Sequence, residues 1–261
     1  MNKTAEDKIK FSEEIIDAKK IYEYATSPEA DILLIQMVDD HDLEVLENEI
    51  SYIRELTGGK DFRLKAVKVN SWNDDLSPWP APAVFGNDDF GNGAAGTLNY
   101  LLENIIPAPE NIHIQEIASK GIPIHGITAK NDQTNIIRKV YIGGYSLAGL
   151  FALWAGYQTD RFDGIAAASP SVWFPHFTEY MQGKTIHADA VYLSLGDREE
   201  KTRNPVMSRV ADAIRKANSL LTDSGIDCVL EWNKGNHFKE PNLRTAKAFA
   251  WLMNRDNIVR F

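Results

Sequence analysis

One stretch, YIGGYSLAGLFALWAG at positions 141–156, limits the possible folds of this chain more than any other. A short β-rich run leads into two glycines, Ser146 follows, and strong helix formers with an apolar face come next. The segment from Gly144 to Ala148 fits the G-x-S-x-G pattern with alanine at the last position, which is typical of a sharp turn from a strand into a helix. Small residues flank the serine because such a turn brings the neighbouring backbone close.

The rest of the chain alternates short β-rich runs with longer segments of helical periodicity. This alternation predicts an α/β fold with a mostly parallel central sheet and helices on both faces. The predicted strands lie at 9–11, 20–24, 31–38, 62–69, 140–143, 164–168, 190–195 and 227–232, and the predicted helices at 43–56, 97–106, 147–158, 205–222 and 243–254. We expect Pro205, preceded by Asn204 as a cap, and Pro241 to open the last two helices.

The length of 261 residues is sufficient for one large domain. The sequence has no Pro/Ser/Gly-rich linker and no repeat at a fixed period, so we predict a single domain over residues 1–261. Residues 1–30 are expected to supply edge strands. Two irregular segments, 70–96 and 107–138, interrupt the pattern, and we expect them to border the active site because long loops in compact domains are often functional.

The composition narrows the range of partners. A net charge of −9 argues against nucleic acid, whose binding requires clustered Lys and Arg. No stretch reaches the roughly 18 apolar residues of a membrane span, and the first residues lack the apolar core of a signal peptide. Cys228 is the single cysteine, so no internal disulfide can form. We therefore expect a cytoplasmic protein that binds neither nucleic acid nor membranes.

The pattern leaves two interpretations of Ser146 open, a helix cap and a catalytic nucleophile. A serine hydroxyl becomes nucleophilic only when a base takes its proton and an acid orients that base. Of the six histidines, His237 is the best placed, because it lies between the last predicted strand and the last predicted helix. The acid is expected in the loop after strand 190–195, where GDREEKTRN offers Asp197, Glu199 and Glu200.

Two further sets of groups would complete such a site. Backbone N–H groups would stabilise an oxyanion, one from Leu147 at the helix N-terminus and one from Val38 or Asp39 after strand 31–38. Aromatic side chains would line a substrate pocket, although the same residues are equally well explained as ordinary members of the core. These candidates are Tyr145, Trp72, Trp79 and Trp173.

Metal sites and cofactors have no support in the sequence. It contains neither H-E-x-x-H nor paired C-x-x-C. The segment NDDFGNG around Asp88 is similar to part of a calcium loop, but the required glycine and glutamate spacing does not follow, so we interpret it as a turn. We expect no metal and no cofactor.

Four segments, VYIGGYSLAGLFAL, AAASPSVWF, LSLGDREEKTRN and GNHF, together resemble the esterase D and enterochelin-esterase-like branch of the α/β-hydrolases. The resemblance extends from about Asp31 to the C-terminus. It implies an α/β-hydrolase fold and a serine hydrolase of esters or thioesters, and some relatives are acyltransferases. It places Ser146 at the nucleophile, His237 at the base and Glu199 at the acid, with Asp197 as the alternative. One departure is QMVDDHD, because many relatives have an H-G-G type turn at that place.

These observations predict an enzyme that cleaves a small carboxylic ester by acylation of Ser146 and attack of water on the acyl-enzyme. Two alternatives remain open. An acyltransferase would use the same residues and pass the acyl group to an alcohol. A non-catalytic binding protein on a hydrolase fold would account for the unusual MVDD turn.

Overall fold

A computed structural model describes residues 9–84, 86–107 and 137–255 of the chain. The strands are β1 (Ser12–Ile16), β2 (Lys19–Ala25), β3 (Ile32–Val38), β4 (Arg63–Lys68), β5 (Lys139–Tyr145), β6 (Gly164–Ala168), β7 (Ala190–Gly196) and β8 (Asp227–Asn233). The helices are α1 (Asp40–Leu56), α2 (Trp72–Asp75), α3 (Ala94–Asn104), α4 (Leu147–Ala155), α5 (Phe177–Met181), α6 (Val210–Asp223) and α7 (Pro241–Arg255), with a 3₁₀ turn at Met207–Arg209 before α6.

The described strands form one sheet in the order β1-β2-β4-β3-β5-β6-β7-β8. β2 pairs with β1 and with β4 in antiparallel orientation, and the remaining neighbours are parallel. The prediction of an α/β fold with a mostly parallel sheet is therefore confirmed. Because the carboxyl ends of parallel strands meet at one edge of a sheet, the loops that follow β3, β5, β6, β7 and β8 lie together there.

Helices cover both faces of the sheet, as the nearly continuous apolar sequence of its central strands requires. Side chains of β3 alternate between two buried clusters, with Leu33, Ile35 and Met37 in one and Leu34 and Val38 in the other. Helices α3, α4 and α6 pack in the first cluster, and α1 and α7 pack in the second. Every residue of α4 is buried, so the turn that precedes this helix is fixed by packing on all sides.

Several element boundaries differ from the predicted ones. The first strand runs over Ser12–Ile16 rather than 9–11, and α1 begins before the predicted position 43. The helix α6 begins at Val210 rather than at Pro205. The Asn204 side chain accepts hydrogen bonds from the N–H groups of Val206 and Met207, so it caps the turn at Pro205 that leads into the 3₁₀ turn before α6. Pro241 does begin α7, as predicted.

The two irregular segments have different outcomes. Most of the segment 107–138 lies outside the described residues. The segment 70–96 contains α2 and a short antiparallel bridge between Ala81 and Phe90. Among the helices of the described ranges, none has the length and apolar character needed to cross a bilayer.

Candidate active site

Ser146 occupies a strained turn between β5 and α4. Its φ of 56° lies in the left-handed region that side chains other than glycine rarely adopt. The Ser146 N–H donates to the carbonyl of Ala168 at 3.1 Å, and the Ser146 carbonyl accepts from Leu150 and from Ser171, each at 3.0 Å. The side chain makes no capping hydrogen bond to the helix. The alternative interpretation of this hydroxyl as a helix cap is therefore wrong.

The small residues around the serine are required by contact distances. A Cβ atom on Gly144 would lie 2.6 Å from the Cβ of Ala148, and one on Gly149 would lie 2.9 Å from the Gly144 carbonyl oxygen. Gly143 is similarly confined, because a Cβ there would lie 2.6 Å from Ala166. Alanine is accommodated at position 148 only because its methyl group faces a glycine.

A chain of hydrogen bonds joins the three predicted catalytic side chains. The Oγ of Ser146 lies 3.0 Å from the Nε2 of His237, and the Nδ1 of His237 lies 2.7 Å from the Oε2 of Glu199. Ser146 follows β5, Glu199 follows β7 and His237 follows β8. Each side chain therefore comes from the carboxyl end of a parallel strand, at the shared edge of the sheet.

The structure separates the two candidate acids. The Oδ1 of Asp197 accepts the backbone N–H of Gly235 at 2.8 Å, so this carboxylate braces the loop before the histidine. Only the Glu199 carboxylate bonds to the His237 ring. The arrangement favours Glu199 as the residue that orients the imidazole.

The Glu199 carboxylate is buried, with 7 % of its surface exposed. Its Oε1 accepts the Gly196 N–H at 2.7 Å, the Ser169 hydroxyl at 2.9 Å and the guanidinium of Arg244 at 2.8 Å. Burial raises the pKa of Glu199, but the hydrogen bonds and charge from His237, together with the bonds from Gly196 and Ser169, outweigh it and hold the pKa below its ordinary value. This side chain is therefore a carboxylate at neutral pH.

Arg244 was not predicted from the sequence and is a central residue of this cluster. It is 1 % exposed, and its Nη1 donates to Glu199, to the Tyr145 hydroxyl at 3.0 Å and to the Ser169 hydroxyl at 3.1 Å. A cation in the first turn of a helix opposes the helix dipole. That unfavourable position in α7 is the one sequence signal that could have marked Arg244 as a residue with a buried partner.

The predicted second oxyanion donor is not free at Val38 or Asp39. The Asp39 N–H donates to the Asp42 side chain at 3.1 Å, and the Asp39 carboxylate caps α1. Val38 is the register partner of Lys68 in the parallel pair β3–β4, and the Val38 carbonyl accepts the Val69 N–H. In this register the Val38 N–H points to β4 and is used by the sheet.

Two amides at this edge fit the role better. The Leu147 N–H is the first amide of α4, next to Ser146, and a first-turn amide has no partner within its own helix. In the first turn of α1, the Asp40 N–H has no acceptor among the described residues. The expectation for Leu147 is therefore retained, and Asp40 replaces Val38 and Asp39 as the candidate from α1.

The predicted pocket aromatics occupy different environments. The Tyr145 hydroxyl donates to the backbone carbonyl of His237 at 2.6 Å, and its ring centroid lies 5.0 Å from the imidazole. The Trp79 indole donates to Pro175 at 2.9 Å and packs in an aromatic cluster, so it contributes to structure. Trp173 lines one cavity of about 790 Å³ and Trp72 lines another of about 700 Å³.

Ser171 was also not predicted as part of the site. Its Oγ lies 3.3 Å from the Oγ of Ser146, so two hydroxyl groups are adjacent at the centre of the site. In the described part of the chain, no three His, Cys, Asp or Glu side chains are grouped as ligands of a metal ion.

No protein-family model matches the sequence, and neither does any curated protein. Solved structures do match it. The siderophore hydrolase EstA from Aspergillus nidulans is 18 % identical with a TM-score of 0.64, over 96 % of this chain and 95 % of that one. An IroE-like serine hydrolase from Shewanella oneidensis is 14 % identical with a TM-score of 0.69, over 95 % of this chain and 82 % of that one. The enterobactin and salmochelin hydrolase IroE is 15 % identical with a TM-score of 0.60, over 95 % and 97 %.

The chain has an α/β-hydrolase fold. In α/β-hydrolases the catalytic groups follow one another along the chain in the order serine, acid, histidine. Ser146, Glu199 and His237 have this order. At these identities the likeness is one of fold, and the chemistry has to be argued from the site itself.

Proposed function

We propose that this protein is a serine hydrolase that cleaves a small carboxylic ester or thioester through an acyl-enzyme. One observation carries the proposal: Ser146, on a strained turn, is hydrogen-bonded to His237, which is hydrogen-bonded to a buried carboxylate. A hydroxyl with an oriented base at 3.0 Å is the arrangement that nucleophilic catalysis by serine requires.

In the proposed acylation step, the Ser146 Oγ forms a bond to the ester carbonyl carbon while its proton moves to the Nε2 of His237. Glu199 holds the Nδ1–H of the imidazole and stabilises the imidazolium that forms. The tetrahedral intermediate then expels the alcohol or thiol, which takes the proton from His237. Water repeats the sequence on the acyl-enzyme and releases the carboxylic acid.

We propose that the N–H groups of Leu147 and Asp40 bind the oxyanion. Acidic side chains beside a developing negative charge would be unfavourable if they faced it. Here the Asp39 carboxylate is bonded to the N–H groups of His41 and Asp42, and the Asp40 carboxylate is paired with Lys68. These charges are therefore compensated within α1 and β4.

The structural neighbours suggest which esters to test first. EstA is named a siderophore hydrolase, and IroE is named an enterobactin and salmochelin hydrolase. We propose siderophore esters as the first candidate substrates, alongside simple p-nitrophenyl esters, because these hydrolases share the overall fold of this chain.

The experiment is covalent labelling with a fluorophosphonate, read by intact mass, together with burst kinetics on a p-nitrophenyl ester. We expect one adduct on the wild type and none on Ser146→Ala. Ser171→Ala is the matched control, because it removes the neighbouring hydroxyl, and we expect it to keep the adduct. An adduct that survives in Ser146→Ala, or no adduct on folded wild type, would refute the proposal.

Product analysis with and without an added alcohol distinguishes hydrolysis from acyl transfer, which uses the same three side chains. Free carboxylic acid as the main product in the presence of alcohol supports the hydrolase. An ester of the added alcohol as the main product supports the acyltransferase.

A further inference from the structure

Arg244 joins four separate segments at the back of the candidate site. Its Nη1 contacts Tyr145 at the end of β5, Ser169 after β6 and Glu199 after β7. Its Nη2 donates to the carbonyl of Asn236 at 2.9 Å, in the loop that carries His237. A single buried guanidinium therefore contacts Glu199 itself and the residues directly before Ser146 and His237 in the sequence.

Stability alone does not account for a cation in this position. Burying a charge has a large desolvation cost, and well-packed apolar residues often stabilise a protein as much as a buried ion pair does. The position in the first turn of α7 is also unfavourable for a cation. These costs indicate that the positive charge is present for its effect on the groups that Arg244 contacts.

The Glu199 carboxylate is divided between two partners. Its Oε2 faces the imidazole Nδ1 at 2.7 Å, and its Oε1 faces the Arg244 guanidinium at 2.8 Å. A permanent positive charge on the far oxygen favours the carboxylate and disfavours a second positive charge on the imidazole. The guanidinium therefore stabilises the charged form of the carboxylate that orients the imidazole.

We propose that Arg244 is a positioning residue that sets the lower pH limit of the hydrogen-bonded chain and holds the His237 loop in register. Its charge acts through Glu199, and its second nitrogen acts through the Asn236 carbonyl. The proposal concerns the same site as the proposed function and, for its effect on catalysis, rests on it.

Other titratable groups around this cluster do not supply the same charge. Burial, and then the charge of Glu199, raise the pKa of the Tyr145 hydroxyl to about 12, so it is neutral. The Asp197 carboxylate is bonded to the Gly235 N–H on the other side of the loop. Two further charged groups, Lys239 and Glu240, are exposed on the loop after His237 and lie 4.0 Å apart. Lys247 of α7 is paired with Glu231 of β8.

The test compares two variants at this position with a matched control. Arg244→Gln removes the charge, and Arg244→Lys keeps the charge but cannot reach both Glu199 and Asn236. Lys247→Met is the control, because it removes a positive charge from the same helix, one turn away, that is bonded to Glu231 instead. The readouts are the titration of the His237 ring, followed by NMR, and the pH dependence of kcat/KM for a p-nitrophenyl ester.

We expect Arg244→Gln to move the His237 titration midpoint and the acidic limb of kcat/KM upward by about one pH unit. Arg244→Lys should leave both in place and lower kcat about tenfold, because the loop bond is lost. Lys247→Met should move neither. An unmoved midpoint in folded Arg244→Gln, or an upward shift in Arg244→Lys, would overturn the proposal.

The NMR titration keeps this inference separate from the proposed function, since it needs no turnover. If the wild type is neither labelled nor active but the His237 midpoint shifts in Arg244→Gln, the hydrolase proposal fails and the electrostatic coupling stands. If the wild type is active and the midpoint does not shift, only the role of Arg244 is overturned. Should Arg244→Gln not fold, an upward shift of the His237 midpoint in Arg244→Lys still overturns the proposal.

Discussion

A buried carboxyl group far from the hydrogen-bonded chain makes the sharpest prediction about stability. Glu49 of α1 and Gln36 of β3 are 3 % and 2 % exposed, and the Gln36 Nε2 lies 3.5 Å from the Glu49 Oε2. The other side-chain oxygen of each residue has no donor among the described residues. Two oxygens without a donor are satisfied most simply if Glu49 carries a proton. Burial, and then the charge of Asp42, raise the pKa of Glu49 well above its ordinary value of 4.5.

The raised pKa defines how stability depends on pH. Below pH 4.5, Glu49 is protonated in both the folded and the unfolded chain and costs nothing. As the pH rises, the unfolded chain releases this proton and the folded protein keeps it, so the free energy of unfolding falls by about 1.4 kcal/mol per pH unit until the folded pKa is passed. This loss accumulates over the whole interval between the ordinary pKa of 4.5 and the raised pKa of the folded protein.

We predict that Glu49→Gln removes this loss. The amide has the same shape, stays neutral and can donate to the Gln36 oxygen. The variant should match the wild type near pH 5 and exceed its free energy of unfolding at higher pH, measured near pH 7, by about 1.4 kcal/mol for each pH unit until the folded pKa of Glu49 is passed. Urea unfolding followed by circular dichroism at both pH values measures the difference. Glu47→Gln, at an exposed position of the same helix, is the control and should change stability little at either pH.

A difference between Glu49→Gln and the wild type that is the same at both pH values would refute this reasoning. It would mean that Glu49 is ionised in the folded protein. Asp42, whose pKa burial raises to about 6 against the opposing effect of its hydrogen bond with Asp39, is present in both proteins and largely cancels in the comparison.

Three further predictions concern the site. Glu199→Gln should lower kcat by about 10³-fold to 10⁴-fold, because Glu199 is bonded to the imidazole. Asp197→Asn affects the bond to Gly235 and should lower kcat less than about tenfold. Steady-state kinetics measure both values, and the reverse ranking would assign the acid to Asp197. Gly144→Ala should destabilise the protein by about 1–3 kcal/mol, since the new Cβ would meet Ala148 at 2.6 Å, and adding Ala148→Gly should restore part of the loss in thermal melts. Because the folded pKa of Glu199 is lowered, its contribution to stability is present above pH 4.5 and lost below it, so acid unfolding should affect the wild type more steeply than Glu199→Gln.

The fold was predictable because its signals are local. The strands β3, β5, β6 and β7 are short, nearly continuous apolar runs that are buried on both sides, a pattern typical of the centre of a parallel sheet. The Ser146 turn is likewise local, since the small residues that it requires, Gly144 and Ala148, lie within two positions of the serine. His237 followed from its place between the last strand and the last helix.

The remaining parts of the site depend on contacts between distant residues. Asp197 and Glu199 are two positions apart, and only the loop geometry decides which of them meets the imidazole. Arg244 was not identified from the sequence, because three of its partners, Tyr145, Ser169 and Glu199, lie 45 to 99 positions earlier in the chain. The Asp39 amide was a reasonable oxyanion donor until the Asp42 side chain was seen to bind it.

The order of the elements along the chain also governs when the hydrogen-bonded site can assemble during synthesis. Ser146 and His237 are separated by 91 positions, and α7, which carries Arg244, is the last helix described. A growing chain that ends before position 237 has neither the imidazole nor the guanidinium of this site. The site is therefore complete only once α7 has docked on the sheet.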